Sequence, residues 1–192
     1  MKPINNFEKV QPAGSIETIP AGAYVCKIEK CTEEKNKSGS GTHLAVLFDI
    51  VEGDYRGFFM ADWKSQTRED KFWRGIIRQN IPDEKSDKYE MQCRFFKAFV
   101  NAIEDSNDGY TWDWDEKKLK GKLIGVVFGE VEKKSQRGTI YTTALANSVC
   151  SVDAARNGTV KIPELKRLSG SSAPFTSSTG PVDVAVDDEI PF

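Results

Sequence analysis

Hydrophobic periodicity changes twice along this 192-residue chain, and that change constrains the fold more than any other feature. Residues 24–31 alternate, with Tyr24, Cys26 and Ile28 on one face and Lys27 and Glu29 on the other, the period of a half-buried strand. A β-rich run over 44–51 predicts a second strand. Turn residues at 52–57 precede a third predicted strand over 58–63. The period then shifts. Phe72, Trp73, Ile76 and Ile77 recur at helical spacing and predict a helix over 67–79, closed by Pro82. Phe95, Phe96, Phe99, Val100 and Ile103 predict a second helix over 91–104. After the turn at Asn107-Asp108-Gly109, strand spacing returns over 123–131 and 139–149, joined by a hairpin loop at 132–138. A short strand is expected at 159–162.

The expected fold class is therefore mainly β with a helical insertion. Five strands with helices between strands three and four match the order of the OB-fold barrel, whose open face and hairpin loops bind oligonucleotides. An open β-sheet capped by helices gives the same string of elements. Residues 1–20 are polar and punctuated by Pro3, Pro12 and Pro20, and are read as an arm. The domain spans 21–168, with the helical insertion at about 67–105, and 169–192 forms a linker and tail.

Composition narrows the function classes. With 39% hydrophobic residues and 15 glycines, the chain can build a core, and wholesale disorder is excluded. The longest unbroken apolar run, 44–48, is too short to span a bilayer, and the N-terminus lacks an apolar stretch of leader length. No membrane partner and a cytoplasmic location, in a bacterial host cell, are expected. Cys26, Cys31, Cys93 and Cys150 form no C-x-x-C pair, and His43 is the only histidine. Four reduced, mostly buried thiols are expected, with no metal, no cofactor and no catalytic residues. The cluster Trp112-Asp113-Trp114-Asp115-Glu116, with Asp62, raises the alternative of a Mg²⁺-dependent nuclease. Its spacing matches no nuclease pattern, and a solvent-exposed acidic turn is the simpler reading.

Charge is split along the chain. The last 24 residues hold no Lys or Arg but contain Asp183, Asp187, Asp188 and Glu189, which leaves 27 basic against 25 acidic residues in 1–168. A mildly basic body carrying an acidic tail points towards nucleic acid. Residues 169–181 are rich in Ser, Thr, Gly and Pro, a flexible composition with a reach of about 25 Å. The chain closes on Asp187-Asp188-Glu189-Ile190-Pro191-Phe192. An acidic approach to an apolar, aromatic terminus suits a peptide ligand, with Phe192 entering a pocket and the acids steering it to a basic rim.

That terminal hexapeptide resembles the acidic C-terminal peptide of bacterial single-stranded DNA-binding proteins. The resemblance implies docking onto replication and recombination proteins and competition with DNA for the binding groove. The body does not resemble the short, tetramer-forming housekeeping protein. The stretch Ala21-Gly22-Ala23-Tyr24-Val25-Cys26-Lys27-Ile28, the Lys37-Ser38-Gly39 loop and Leu119-Lys120-Gly121-Lys122 are instead similar to phage-encoded members of that class.

Unpaired strands are held by cations along the phosphates and by aromatic faces under the bases. The candidate cations are Lys27 on the first strand, Lys35 and Lys37 in the first long loop, Lys64 and Arg68 after Trp63, Lys120 and Lys122 before the fourth strand, and Lys133, Lys134 and Arg137 in the last hairpin. The candidate stacking residues are Tyr24, Phe58, Trp63, Phe128 and Tyr141. For Phe58 and Phe128 a place in the core is an equal alternative; polar neighbours favour an exposed role for Trp63 and Tyr141. Lysine runs can also be plain solvated faces. The expected function is sequence-tolerant coating of single-stranded DNA in phage or prophage replication, repair or recombination, by a monomer or a homodimer. The alternatives are a protein-binding adaptor, a strand-annealing factor and, behind them, the nuclease.

Overall fold

The structure, a computed structural model, describes residues 18–36, 41–67, 69–135 and 138–168. The elements run β1 (Gly22–Lys35), β2 (Thr42–Ile50), α1 (Phe58–Ser65), β3 (Ile76–Asn80), α2 (Tyr89–Glu104), β4 (Leu123–Lys134), β5 (Ile140–Cys150) and α3 (Val152–Arg156), with a 3-10 turn at Glu116–Leu119. The five strands form one antiparallel, open sheet in the order β3-β2-β1-β4-β5. Among the described residues no helix is long and apolar enough to cross a membrane.

β1 is the shared strand. Its first half pairs with β4, from Gly22 against Phe128 to Lys27 against Leu123, and from Cys26 onwards it pairs with β2. The β2 register slips between Ile28 and Lys30, so Glu29 is the extra residue of a bulge. Side chains alternate with period two, so the bulge reverses parity. Cys26 and Ile28 face the core, and after the bulge Cys31, not Lys30, is buried. On the β4 side the Ile28 backbone is satisfied by the turn before that strand: Ile28 N–H donates to Lys122 C=O (2.9 Å) and Gly121 N–H to Ile28 C=O (2.7 Å).

The segment predicted as a third strand, 58–63, is helix α1. Gly57 enters it in the left-handed region at φ 74° and brings no side-chain cap. The cap comes from β2 instead. The buried Asp49 carboxylate accepts from Phe59 N–H (3.0 Å) and Met60 N–H (3.3 Å), two of the orphan donors of the first turn, and from Ile50 N–H (2.9 Å). The adjacent rings of Phe58 and Phe59 meet edge to face at 5.2 Å and both reach the core, which a strand's alternation would forbid.

The helix predicted over 67–79 is a second correction. The third strand lies there instead, at Ile76–Asn80, paired with β2 from Leu47 against Ile76 to His43 against Asn80. Tertiary contacts override the helical spacing. Phe48 N–H donates to Gly75 C=O (2.8 Å), and the Trp73 indole N–H donates to the carbonyls of Phe48 and Gly75, each at 3.0 Å. A Cβ at Gly75 would stand 2.4 Å from the Phe48 carbonyl oxygen and 2.7 Å from the Phe59 ring, so this close approach requires glycine. Of the insertion expected at about 67–105, helix is confined to α2, between β3 and β4. Residues 159–162 form no strand. The pairing comes at Lys166, which lies parallel beside Val131: Lys166 N–H donates to Glu130 C=O and Glu132 N–H to Lys166 C=O, both 2.9 Å.

The main core unites residues of the sheet, α1 and α2: Phe96, Phe99 and Ile103 of α2 join Ile28, Val46, Ile124 and Val126 of the strands in one cluster. A smaller cluster of Val25, Val152 and Ala155 forms with α3. Asn107 clamps the two ends of the α2–β4 connection. Its amide donates to Ile103 C=O (2.7 Å) and Leu123 C=O (2.8 Å) and accepts from Leu123 N–H (2.9 Å). Replacing Asp49 with Ala removes the α1 cap and leaves buried donors unpaired, so a loss of about 1–3 kcal/mol is expected in urea denaturation. Asp54→Ala on the exposed turn should stay within about 0.5 kcal/mol.

Candidate nucleic-acid interface

The β4–β5 hairpin brings predicted residues together most directly. Its turn closes through Ser135 N–H to Thr139 C=O (2.8 Å) and Gly138 N–H to Ser135 C=O (2.9 Å). Gly138, at φ 85°, supplies the left-handed backbone. Lys133 then stands opposite Tyr141, and Lys134 opposite Ile140. Directly opposed residues share a face with Cβ atoms about 5 Å apart, so a cation and an aromatic ring sit side by side. Tyr141 is 47% exposed and Ile140 51%, and Lys134 is also exposed.

A second grouping forms on and after α1. The ammonium of Lys71 lies 4.9 Å from the centre of the exposed Trp63 ring, and the exposed Lys64 follows Trp63 in the helix. Arg74 and Asp62 form an ion pair, with Arg74 Nε donating to Asp62 Oδ2 at 2.7 Å.

The remaining candidates are dispersed. Phe128 is 2% exposed: Phe48 and Tyr24 meet it edge to face at 6.1 and 5.6 Å, and Phe59 stacks on it at 6.1 Å. It is a core residue with no face free for a base, which corrects its expected stacking role. Phe58 is half-buried among Tyr55 and Phe59 in the same ring chain. Tyr24 is half-buried too, its hydroxyl donating to Pro20 C=O (2.9 Å). Lys27 is paired with Glu29 at 3.0 Å. Lys122 lies 4.3 Å from the Tyr110 ring centre, while Lys120 and Lys35 are exposed. Lys37, Arg68, Arg137 and the terminal residues Asp187, Asp188, Glu189, Ile190, Pro191 and Phe192 lie outside the described residues, as does most of the expected arm.

Three cations join the sequence-derived set. Lys71 pairs with Trp63 as above. Lys30 and Arg78, both exposed, lie on the face carried across β1, β2 and β3 by the rows Lys30–Leu47–Ile76 and Thr32–Ala45–Arg78. Arg78 is hidden by the helical spacing of 67–79, and Lys30 by a bulge that no residue type signals.

The acidic cluster has its own cation. Lys118 forms an ion pair with Asp113 and lies 4.0 Å from Asp115. The hydrogen bond from Lys118 holds the Asp113 carboxyl below the usual carboxylate range. Among the described residues, no three His, Cys, Asp or Glu side chains cluster to hold a metal ion. Trp114 stands here in the left-handed region at φ 67°, 79% exposed, its ring stacked on Phe96 at 6.2 Å.

All four thiols are free. Burial pushes the Cys26 thiol far above its ordinary value, with Asp49 and Cys150 adding to the rise. Burial, then Glu116, pushes Cys31 from 9.0 up to about 12. A folded value above the unfolded one means that the unfolded chain releases the proton first. The stability contributed by the protonated Cys31 is therefore complete below pH 9.0 and is lost as the pH climbs to about 12. Denaturation midpoints should fall across that range, and fall less steeply in Cys31→Ala. No protein-family model matches the chain, and no curated protein matches it significantly.

Proposed function

We propose that this chain is a non-catalytic, sequence-tolerant single-stranded DNA-binding protein of the phage or prophage type, built on an OB-type barrel. The observation that carries the reading is the hairpin pair Lys133–Tyr141, beside Lys134–Ile140: a cation and an exposed ring in cross-strand register. Phosphate contacts provide sequence-independent affinity, and a base stacked on an aromatic ring adds about 1–3 kcal/mol. The Trp63–Lys71 pair repeats the same chemistry on a different element.

The OB reading draws support from topology. The meander β1–β2–β3 is followed by a helix, and β4 then returns to pair with β1. Helix α2 packs against β3, β4 and β5, and the edge strands β3 and β5 approach each other without forming a ladder. In that barrel the β4–β5 loop and the β1–β2 loop flank the groove. The terminal Asp187-Asp188-Glu189-Ile190-Pro191-Phe192 then serves as a docking peptide for replication, repair or recombination proteins, working in the cytoplasm of a bacterial host.

Titration of labelled oligo-thymidine against the full chain in a salt series tests this reading. The logarithm of affinity should fall linearly with the logarithm of salt, with slope about −0.7 per phosphate neutralised. Lys133→Ala with Lys134→Ala should weaken binding and flatten the slope by about 1.4. Tyr141→Ala should weaken binding roughly 5- to 150-fold with the slope unchanged, since stacking displaces no counterions. Deleting 187–192 should leave affinity equal or higher, because like charge is removed. Failure of the wild-type protein to bind at low salt would falsify the proposal and favour the adaptor.

A further inference from the structure

Trp114 combines a costly backbone with an uncovered ring. Among the described residues it is the one non-glycine in the left-handed region, at φ 67°, where a side chain crowds the following carbonyl. Its ring is nevertheless 79% exposed. Phe96 stacks on one side at 6.2 Å, with the ring planes 8° apart, and the other side is left to solvent. The turn that follows is anchored. Leu119 is fully buried, and the Asp115 carboxylate accepts from Lys117 N–H (3.1 Å). The same contacts sort the charges. Asp113 and Asp115 both face Lys118, and Glu116 is half-buried. Lys122 lies over the Tyr110 ring. Lys117 and Lys120 are exposed and enter no ion pair among the described residues.

We propose that Trp114, with Lys117 and Lys120, forms a further contact for single-stranded nucleic acid. A base stacks on the open side of the indole, and the two lysines take neighbouring phosphates. The inference rests on the DNA-binding reading and extends it to a different element: this turn feeds β4 at Leu123, whereas the hairpin follows Lys134 at the strand's other end. A flat ring open on one side accepts another flat group, and unpaired ammonium groups accept anions. Single-stranded nucleic acid carries both along its whole length. The pairing of an exposed ring with lysines also occurs at Tyr141 and at Trp63, and one polymer can engage several such places where a short acidic peptide engages one. A purely structural role would need the ring to be covered, and Phe96 covers little of it.

Fluorescence anisotropy of a labelled oligo-thymidine of about 16 nucleotides, titrated with the full chain, tests the inference. Trp114→Gly removes the ring and relieves the backbone. It should weaken binding roughly 5- to 150-fold, with the salt slope unchanged and the urea midpoint equal or higher. Trp114→Tyr, which returns a ring to the same position, should recover most of the lost affinity. Lys117→Ala with Lys120→Ala should flatten the salt slope by about 1.4. A Trp114→Gly variant that binds like wild type overturns the inference and leaves the hairpin reading in place. Affinity and midpoint that fall together, with neither restored by Trp114→Tyr, also overturn it and mark the ring as structural. A synthetic peptide of residues 187–192 that binds wild type but not Trp114→Gly, while both bind oligo-thymidine alike, overturns it and assigns the ring to the acidic terminus. A wild-type chain that binds no oligo-thymidine overturns both readings.

Discussion

The fold turns on the double pairing of β1. One strand supplies ladder partners to β4 with its first half and to β2 beyond Cys26, so both halves of the sheet are joined through its backbone. A flat strand would put the same side chains on the same face throughout. The extra residue at Glu29 breaks that regularity, letting Cys26, Ile28 and Cys31 all face the core while Lys30 faces solvent. Bulges also increase local twist, and a twisted, bent central strand lets the edge strands β3 and β5 approach each other.

The large aromatic residues divide into two populations. Phe48, Phe59 and Phe128 form a mostly edge-to-face chain within the core, which Tyr24, Tyr55 and Phe58 extend towards the surface. Their arrangement is set by α1, which Asp49 anchors at its start and Gly75 allows to come close to β2. The second population, Trp63, Phe72, Tyr89, Phe95, Trp114 and Tyr141, is exposed, and Trp63 and Tyr141 of these stand beside lysines. A chain that exposes aromatic rings next to cations has the elements of a stacking surface.

Much of this was legible in the residues. Alternation located β1, β2, β4 and β5, and the Phe95–Ile103 spacing located α2. Two neighbouring elements were exchanged for one physical reason: both depend on contacts distant in sequence. Residues 58–63 carry no cap of their own, because the cap is Asp49 on another strand. Residues 72–77 have helical spacing, but Gly75 and the Trp73 indole bind them to β2. The site divides in the same way. Lys133, Lys134 and Tyr141 were readable because a hairpin brings near neighbours together. Arg78 depended on finding β3, and the burial of Phe128 depended on α1 covering it.

The segment after α3 does not simply leave the domain. It runs beside β4, where Pro163 crowds Gly129, Lys166 pairs with Glu130 and Glu132, and Leu168 N–H donates to the Glu132 carboxylate at 3.2 Å. Glu132 immediately precedes Lys133. The mooring point of the last 24 residues is thereby fixed at the foot of the β4–β5 hairpin. Leu168, the last described residue, therefore stands at the end of the sheet that carries Lys133 and Tyr141.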